Sequence, residues 1–291
     1  MKTEHTLRHP VVSGIFYPDE REDLENTVRG YLERVDESKL FDCIREATGI
    51  SDPRMKVPVA VVAPHAGYIF SAKVQAFAYA VLMNARIDTA FILAPAHQNS
   101  FPGISVNDDD AYRTPLGDVE VDLECVEKLH SFHRSIGINE EAHLGEHAIE
   151  VQLPFLQTVL SEAKIVPILF GEQNWDNSRL LKEALVSVMK EVPKKYLVIV
   201  SSDLSHYHPH VEAAALDGVL IEDVKELDAR RLHENLRAGR TESCGFGGIL
   251  TAIMIARETG YGKSVILHYM DSGDVSGDRK KVVGYLAAAL Y

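Results

Sequence analysis

The sequence predicts an α/β protein in which a central, mostly parallel sheet is sandwiched by helices, a three-layer α/β/α arrangement. Three observations lead there. Short runs rich in Val and Ile are bounded by Pro, Gly, Ser or Asp, as strands buried on both faces should be. Segments with helical spacing alternate with those runs, the pattern of helices covering a parallel sheet. No Ser/Gly linker, composition shift or internal repeat divides the 291 residues, so residues 1–291 are read as a single domain.

Along the chain, residues 57–63 and 89–94 read as strands with a helix over 72–82 between them. Helices follow over 123–132 and 149–160, and Pro154 either kinks the second or starts a fresh one. A strand over 165–170, a helix over 180–192 and a strand over 196–200 continue the alternation. Residues 211–240 read as one or two helices with a charged, solvated face, and 249–258 as a strongly apolar helix. Strands over 265–269 and 282–290 close the pattern.

Composition narrows the function classes. With 30 basic against 43 acidic residues the formal net charge is -13, which repels phosphate backbones, so no nucleic-acid partner is expected. No apolar stretch approaches the ~18 residues that span a bilayer, and residues 1–10 are polar where a signal peptide is hydrophobic. No membrane association and a cytoplasmic location are the expectation. Three scattered cysteines, Cys43, Cys125 and Cys244, do not make a disulfide framework.

The chemistry collects after the strands. Residues 57–63 run into Pro64, His65, Ala66, Gly67 and Tyr68; residues 89–94 into Pro95, Ala96 and His97; residues 196–200 into Ser201, Ser202, Asp203, Leu204, Ser205 and His206. Carboxyl ends of parallel strands share one edge, where ligands bind, so three imidazoles and a carboxylate are expected to meet. Glu146, His147 and Glu150 form a second cluster, read at the start of a helix that sets 146 and 150 on one face. That cluster suits a paired-carboxylate site or a solvated first turn complementing the helix dipole. Cys244 precedes Gly245 and an apolar helix, so either the dipole lowers its pKa or the residue is a small buried side chain in a tight turn. The glycines after it do not form a dinucleotide fingerprint. A Ser202, Asp203, His206 hydrolase triad lacks a nucleophile elbow and is set aside.

Taken together, Pro-His-Ala-Gly-Tyr at 64–68, Ala-Pro-Ala-His at 94–97, Gly-Glu-His-Ala-Ile-Glu at 145–150, Ser-Ser-Asp-Leu-Ser-His at 201–206 and Cys-Gly-Phe-Gly at 244–247 resemble the signature of the Memo family. Its prokaryotic members are also called AmmeMemoRadiSam system protein B. Gly14 to Pro18, Ser272 to Asp278 and Val282 to Tyr285 resemble its terminal motifs, so the likeness covers nearly the whole chain.

The resemblance implies a fold like that of LigB-type class III extradiol dioxygenases. It also implies His65, His97 and Cys244 as metal-facing residues, His206 as the pocket acid or base and Asp203 as its neighbour. Glu146, His147, Tyr68 and Phe16 would line the pocket. The implied cofactor is a transition metal ion, iron or copper ahead of zinc. The implied partners are a small-molecule or peptide ligand, with a functional link to an AMMECR1-like protein and a radical SAM protein.

Two departures stand out. Cys244 occupies the place where those dioxygenases use a carboxylate, and Phe16 stands where the family usually has Trp. The expected function is a metal-dependent redox protein, dioxygenase-like. The alternatives are a non-catalytic binding module for a phosphorylated or anionic peptide, and a zinc hydrolase.

Overall fold

Most of the apolar runs read as strands lie side by side in one sheet. The computed structural model describes residues 6–291. Part of the polar segment read at residues 1–10, residues 1–5, falls outside the described residues. The strands are β1 (Leu7–Arg8), β2 (Ala60–Ala63), β3 (Thr89–Pro95), β4 (Ile104–Val106), β5 (Ala111–Thr114), β6 (Gly117–Glu120), β7 (Ile136–Ile138), β8 (Lys164–Phe170), β9 (Tyr196–Ser201), β10 (His206–His208), β11 (Ser264–Asp271) and β12 (Val282–Leu290).

Nine of them form the large sheet in the order β10-β12-β2-β9-β3-β8-β4-β7, with β11 pairing the free edge of β12. The centre is parallel: β2 pairs β9, β9 pairs β3 and β3 pairs β8, all in one direction. Toward the edges the sheet turns mixed, because β12 runs antiparallel to β2, β10 and β11, and β4 antiparallel to β8. Parallelism therefore holds where helical crossovers connect the strands, and gives way where the chain returns directly. A separate three-stranded sheet, β1-β5-β6, tethers the N-terminal segment.

The central strands are buried on both faces along almost their whole length, which is why they read as continuous apolar runs and not as alternations. Pro58 has no N–H to donate, and regular pairing of β2 begins only at Ala60, later than the run from 57 suggests. Helix Tyr68–Ala80 rests on the sheet and packs against Arg21–Glu33 and Leu153–Val159, and helix Phe246–Glu258 rests on the sheet and packs against Trp175–Glu191 and Ala229–Arg237. The result is an α/β sandwich. Residues 211–240 form two helices, His210–Lys225 and Ala229–Arg237.

The helix expected over 149–160 is interrupted. A short 3-10 turn, Glu150–Gln152, leads into Leu153–Val159 with Pro154 in the first turn, where its missing N–H costs nothing. Glu146 and His147 lie before it, outside any helix. No helix among the described residues is long and apolar enough to cross a membrane.

Candidate metal centre

The segments after β2, β3 and β9 leave the sheet at the shared carboxyl edge of the parallel strands, and the first two each deliver one histidine of the cluster. His65 follows β2, His97 follows β3, and the turn Ser202 to Ser205 follows β9. Cys244 arrives from the opposite direction, just before the helix Phe246–Glu258. Two glycines allow that approach. A Cβ on Gly245 would stand 2.6 Å from the Ser201 carbonyl oxygen, and one on Gly248 2.9 Å from Val200 Cγ1, so only glycine lets the loop and the helix start sit on β9.

His65, His97 and Cys244 bring their donor atoms within 4.8 Å of one another. His65 Nε2 lies 3.2 Å from Cys244 Sγ. A tetrahedral site with usual metal–N and metal–S bonds sets an N···S separation of roughly 3.5 Å, so this pair is already close to ligating geometry.

The tautomers are fixed from behind. Ser201 Oγ donates to the Ala148 carbonyl at 2.7 Å, which leaves its lone pairs for Gln152 Nε2 and for His65 Nδ1–H, each at 2.9 Å. Glu146 Oε1 accepts from His97 Nδ1 at 2.9 Å. Each ring therefore spends its Nδ1 proton on a partner and keeps the Nε2 lone pair, the arrangement that orients metal-binding histidines.

Electrostatics follow from burial. Burial, joined by the neighbouring imidazoles of His97 and His147, holds His65 well below the usual histidine range, so it is neutral at pH 7. Burial also acts to lower His97, but its hydrogen bond and charge contact with Glu146 outweigh that and raise it. Burial would raise Glu146, yet the His97 hydrogen bond and charge, with further N–H donors, bring it down to about 2. Burial and the nearby Asp203 push the Cys244 thiol up. Of the two readings of Cys244, the buried side chain holds and the dipole-lowered pKa does not: desolvation dominates, and the thiol would have to lose its proton to solvent for the sulfur to bind a cation.

His206 is half-buried at the start of β10. Its Nδ1 donates to the Leu204 carbonyl at 2.7 Å, so the backbone, and not Asp203, sets its tautomer, and Nε2 carries the lone pair. Asp203 is buried and used otherwise. Its Oδ1 accepts from the His65 backbone N–H at 2.8 Å, and its own N–H points to Cys244 Sγ at 3.2 Å. It pins both the His65 and the Cys244 segments. Ser202 Oγ engages Ser243 and the Gly245 N–H, away from His206, so no hydrolase triad forms.

Of the remaining pocket residues, His147 stacks on His97 with centroids 4.8 Å apart, and Phe16 meets His147 edge-on at 5.0 Å. Tyr68 is 3% exposed and donates to the Val151 carbonyl, so it packs beneath the site and does not line it. Glu146 and Glu150 do not form a carboxylate pair. Glu146 turns to His97, while Glu150 is fully buried against Arg8, the Tyr17 hydroxyl and the Val11 and Val12 N–H groups. His143 is enclosed between Ser105 and Tyr112.

Sequence reading missed the work of Ser201, although it stands inside a quoted motif. It also missed Arg8, whose guanidinium ties Glu150 to the carbonyls of His143 and Glu146. A serine at a strand end carries no signal of its own; only the fold shows that His65 sits behind it.

The fold and the cluster define a class: an α/β sandwich protein with a candidate two-histidine, one-cysteine centre at the carboxyl edge of its sheet. Comparison supplies the family. The model of the Memo-like protein family matches residues 8–289. A MEMO1 family protein of Methanobrevibacter smithii is 36% identical over 281 residues, covering 96% of this chain and 98% of that protein. One from Methanocaldococcus jannaschii is 34% identical, covering 97% and 98%, and one from Methanopyrus kandleri 36%, covering 96% and 97%. The chain belongs to the Memo family.

Proposed function

We propose that this protein is a metal-dependent redox protein whose single iron or copper ion is held by His65, His97 and Cys244. The observation that carries this reading is the pair of Nε2 lone pairs freed by Ser201 and Glu146 and converging with Sγ. Two imidazoles and a thiolate are a borderline-to-soft donor set, suited to copper, iron or zinc and poor for magnesium or calcium. A bound iron or copper ion supplies one-electron chemistry, and zinc would supply hydrolysis instead.

The chain's own residues provide the rest. Glu146 and Ser201 orient the imidazoles, and Asp203 fixes the two ligand-bearing segments against each other. His206, with Nδ1 committed to a carbonyl, offers Nε2 as the group that takes up or gives a proton. His147 and Phe16 supply an aromatic wall on the substrate side.

Elemental analysis of untagged protein purified without oxygen tests the reading. Iron or copper near one per chain is expected; zinc in that amount would replace redox chemistry by hydrolysis, and no retained metal would refute it. His206→Ala is expected to keep its metal while metal-dependent oxygen consumption falls by about a hundredfold, the scale for losing a general acid or base. Loss of metal in His206→Ala comparable with His65→Ala would make His206 a ligand.

A further inference from the structure

A cavity of about 670 Å³ lies beside the loop that carries Cys244, lined by its neighbours but not by Cys244 itself. Its walls come from the start of helix Trp175–Glu191, from helix Ala229–Arg237 and from loop residues 241–246. Trp175, the only tryptophan of the chain, forms one wall. The His233 ring lies 5.3 Å from it at a 46° tilt, and the Arg230 guanidinium sits 5.4 Å over its face. Leu236 and Phe246 add apolar surface. A neighbouring hollow of about 520 Å³ shares Trp175, His233 and Arg237, and Arg230 lines it.

Residues 230, 233 and 237 fall on one helix face by their spacing. In a chain of net charge -13, neither Arg230 nor Arg237 is ion-paired among the described residues. Arg237 stands in the last turn of its helix, and its guanidinium makes no hydrogen bond among the described residues. The carboxylates nearby are partly spoken for. Glu242 is held by His208 at 3.0 Å, and Asp176 leans toward Arg179 at 3.9 Å. With Glu234 they keep the rim from being uniformly basic, which favours one anionic group over a polyphosphate. Thr241 lines the cavity with its hydroxyl buried beneath the surface, so the polar contacts open to a ligand are the two guanidinium groups.

The geometry points to a second binding site, for a planar aromatic molecule carrying one anionic group. The ring lies against Trp175, and the anion meets Arg230 and Arg237. The volume is that of a small-molecule pocket. This site does not depend on the metal reading. It does touch the same loop, because Gln173 Nε2 donates to the Cys244 carbonyl at 2.6 Å while its Oε1 accepts from the Gly247 N–H at 2.8 Å.

The single tryptophan makes the test direct. Purified full-length protein is titrated with 4-hydroxybenzoate and with adenosine monophosphate, following tryptophan emission and, in parallel, heat by calorimetry. Cyclohexanecarboxylate, inorganic phosphate and phenol serve as controls lacking either the ring or the anion. Saturable binding of one aromatic anion below millimolar concentration is expected, and which of the two saturates tells carboxylate from phosphate. Arg237→Gln should weaken it by about tenfold, the scale for losing a charge-assisted pair, with the fold of the variant checked by circular dichroism. Absence of binding by both methods, equal binding of the controls, or unchanged affinity in a folded Arg230→Gln/Arg237→Gln double variant would each overturn the assignment.

Discussion

Replacing Glu146 by Gln separates orientation of the candidate centre from its ligation. The carboxylate is 2% exposed and accepts from the His97 ring at 2.9 Å, from the His97 N–H at 2.5 Å, and from the His147 and Ala148 N–H groups at 2.9 Å. A glutamine keeps the shape but turns one oxygen into a donor that faces other donors. Leaving such groups unpaired costs about 1–3 kcal/mol, and disturbing a partner of a ligating histidine weakens metal binding by about 10–100-fold.

The pH dependence gives the same group a second readout. Lowering its pKa from 4.5 to about 2 corresponds to roughly 3 kcal/mol at about 1.36 kcal/mol per unit, an upper figure because a metal-bound, neutral His97 no longer supplies the charge. A depressed carboxyl contributes stability that is present above 4.5 and lost as pH falls toward 2. The raised His97 acts oppositely: its contribution is complete below 6.5 and is lost as pH rises through its folded value. In the metal-free protein the pair therefore stabilises most between 4.5 and 6.5. Thermal unfolding across this range, with competitive chelator titration at neutral pH, should show Glu146→Gln with a flatter acid limb and weaker metal binding. An unchanged acid limb together with wild-type metal affinity would refute the orienting role.

Further tests concern other parts of the molecule. Cys244→Ser should lower metal affinity in the chelator titration, whereas Cys43→Ser, on the surface, and Cys125→Ser, in the core, should leave it unchanged; equal affinity in all three would remove Cys244 from the site. Because the buried thiol must lose its proton on metal binding, wild-type affinity should rise with pH through neutrality, and a pH-independent affinity would contradict a thiolate ligand. Glu150→Ala strands the buried Arg8 guanidinium and should cost about 3–5 kcal/mol in denaturant unfolding; a change under about 1 kcal/mol would mean that water reaches the pair. Limited proteolysis should leave one resistant core, and two stable fragments of comparable size would sink the single-domain reading.

How far the sequence carried this varies with the physics behind each feature. The central strands were legible because burial on both faces demands unbroken apolar runs, and the helix over 123–132 appears as Leu123–Phe132. His65, His97 and Cys244 could be singled out because strand ends and a glycine turn mark them locally. Helices Arg21–Glu33 and Glu37–Thr48 were not read, since their buried faces rest on few residues among many charged ones. The helical placement of Glu146 failed for a tertiary reason: two buried interactions, with His97 and with Arg8, pull Glu146 and Glu150 apart and break the periodic pattern. The direction of the Cys244 shift stayed open because local position suggests the dipole, whereas only the folded surroundings reveal how completely the thiol is desolvated.

The candidate centre is assembled from parts of the chain that lie far apart in sequence. Strand β12, Val282–Leu290, lies between β2 and β11 and bonds to both, so the sheet stays open beside β2 until residues 282–290 join it. His65 and Cys244, 179 residues apart in the chain, sit at the ends of segments that this sheet holds in register. Contacts so distant in sequence are formed late and slowly. Before those contacts form, the three side chains are separate single donors. Donors so far apart in sequence meet only in the folded chain, so the trio is a product of tertiary packing and of no local segment.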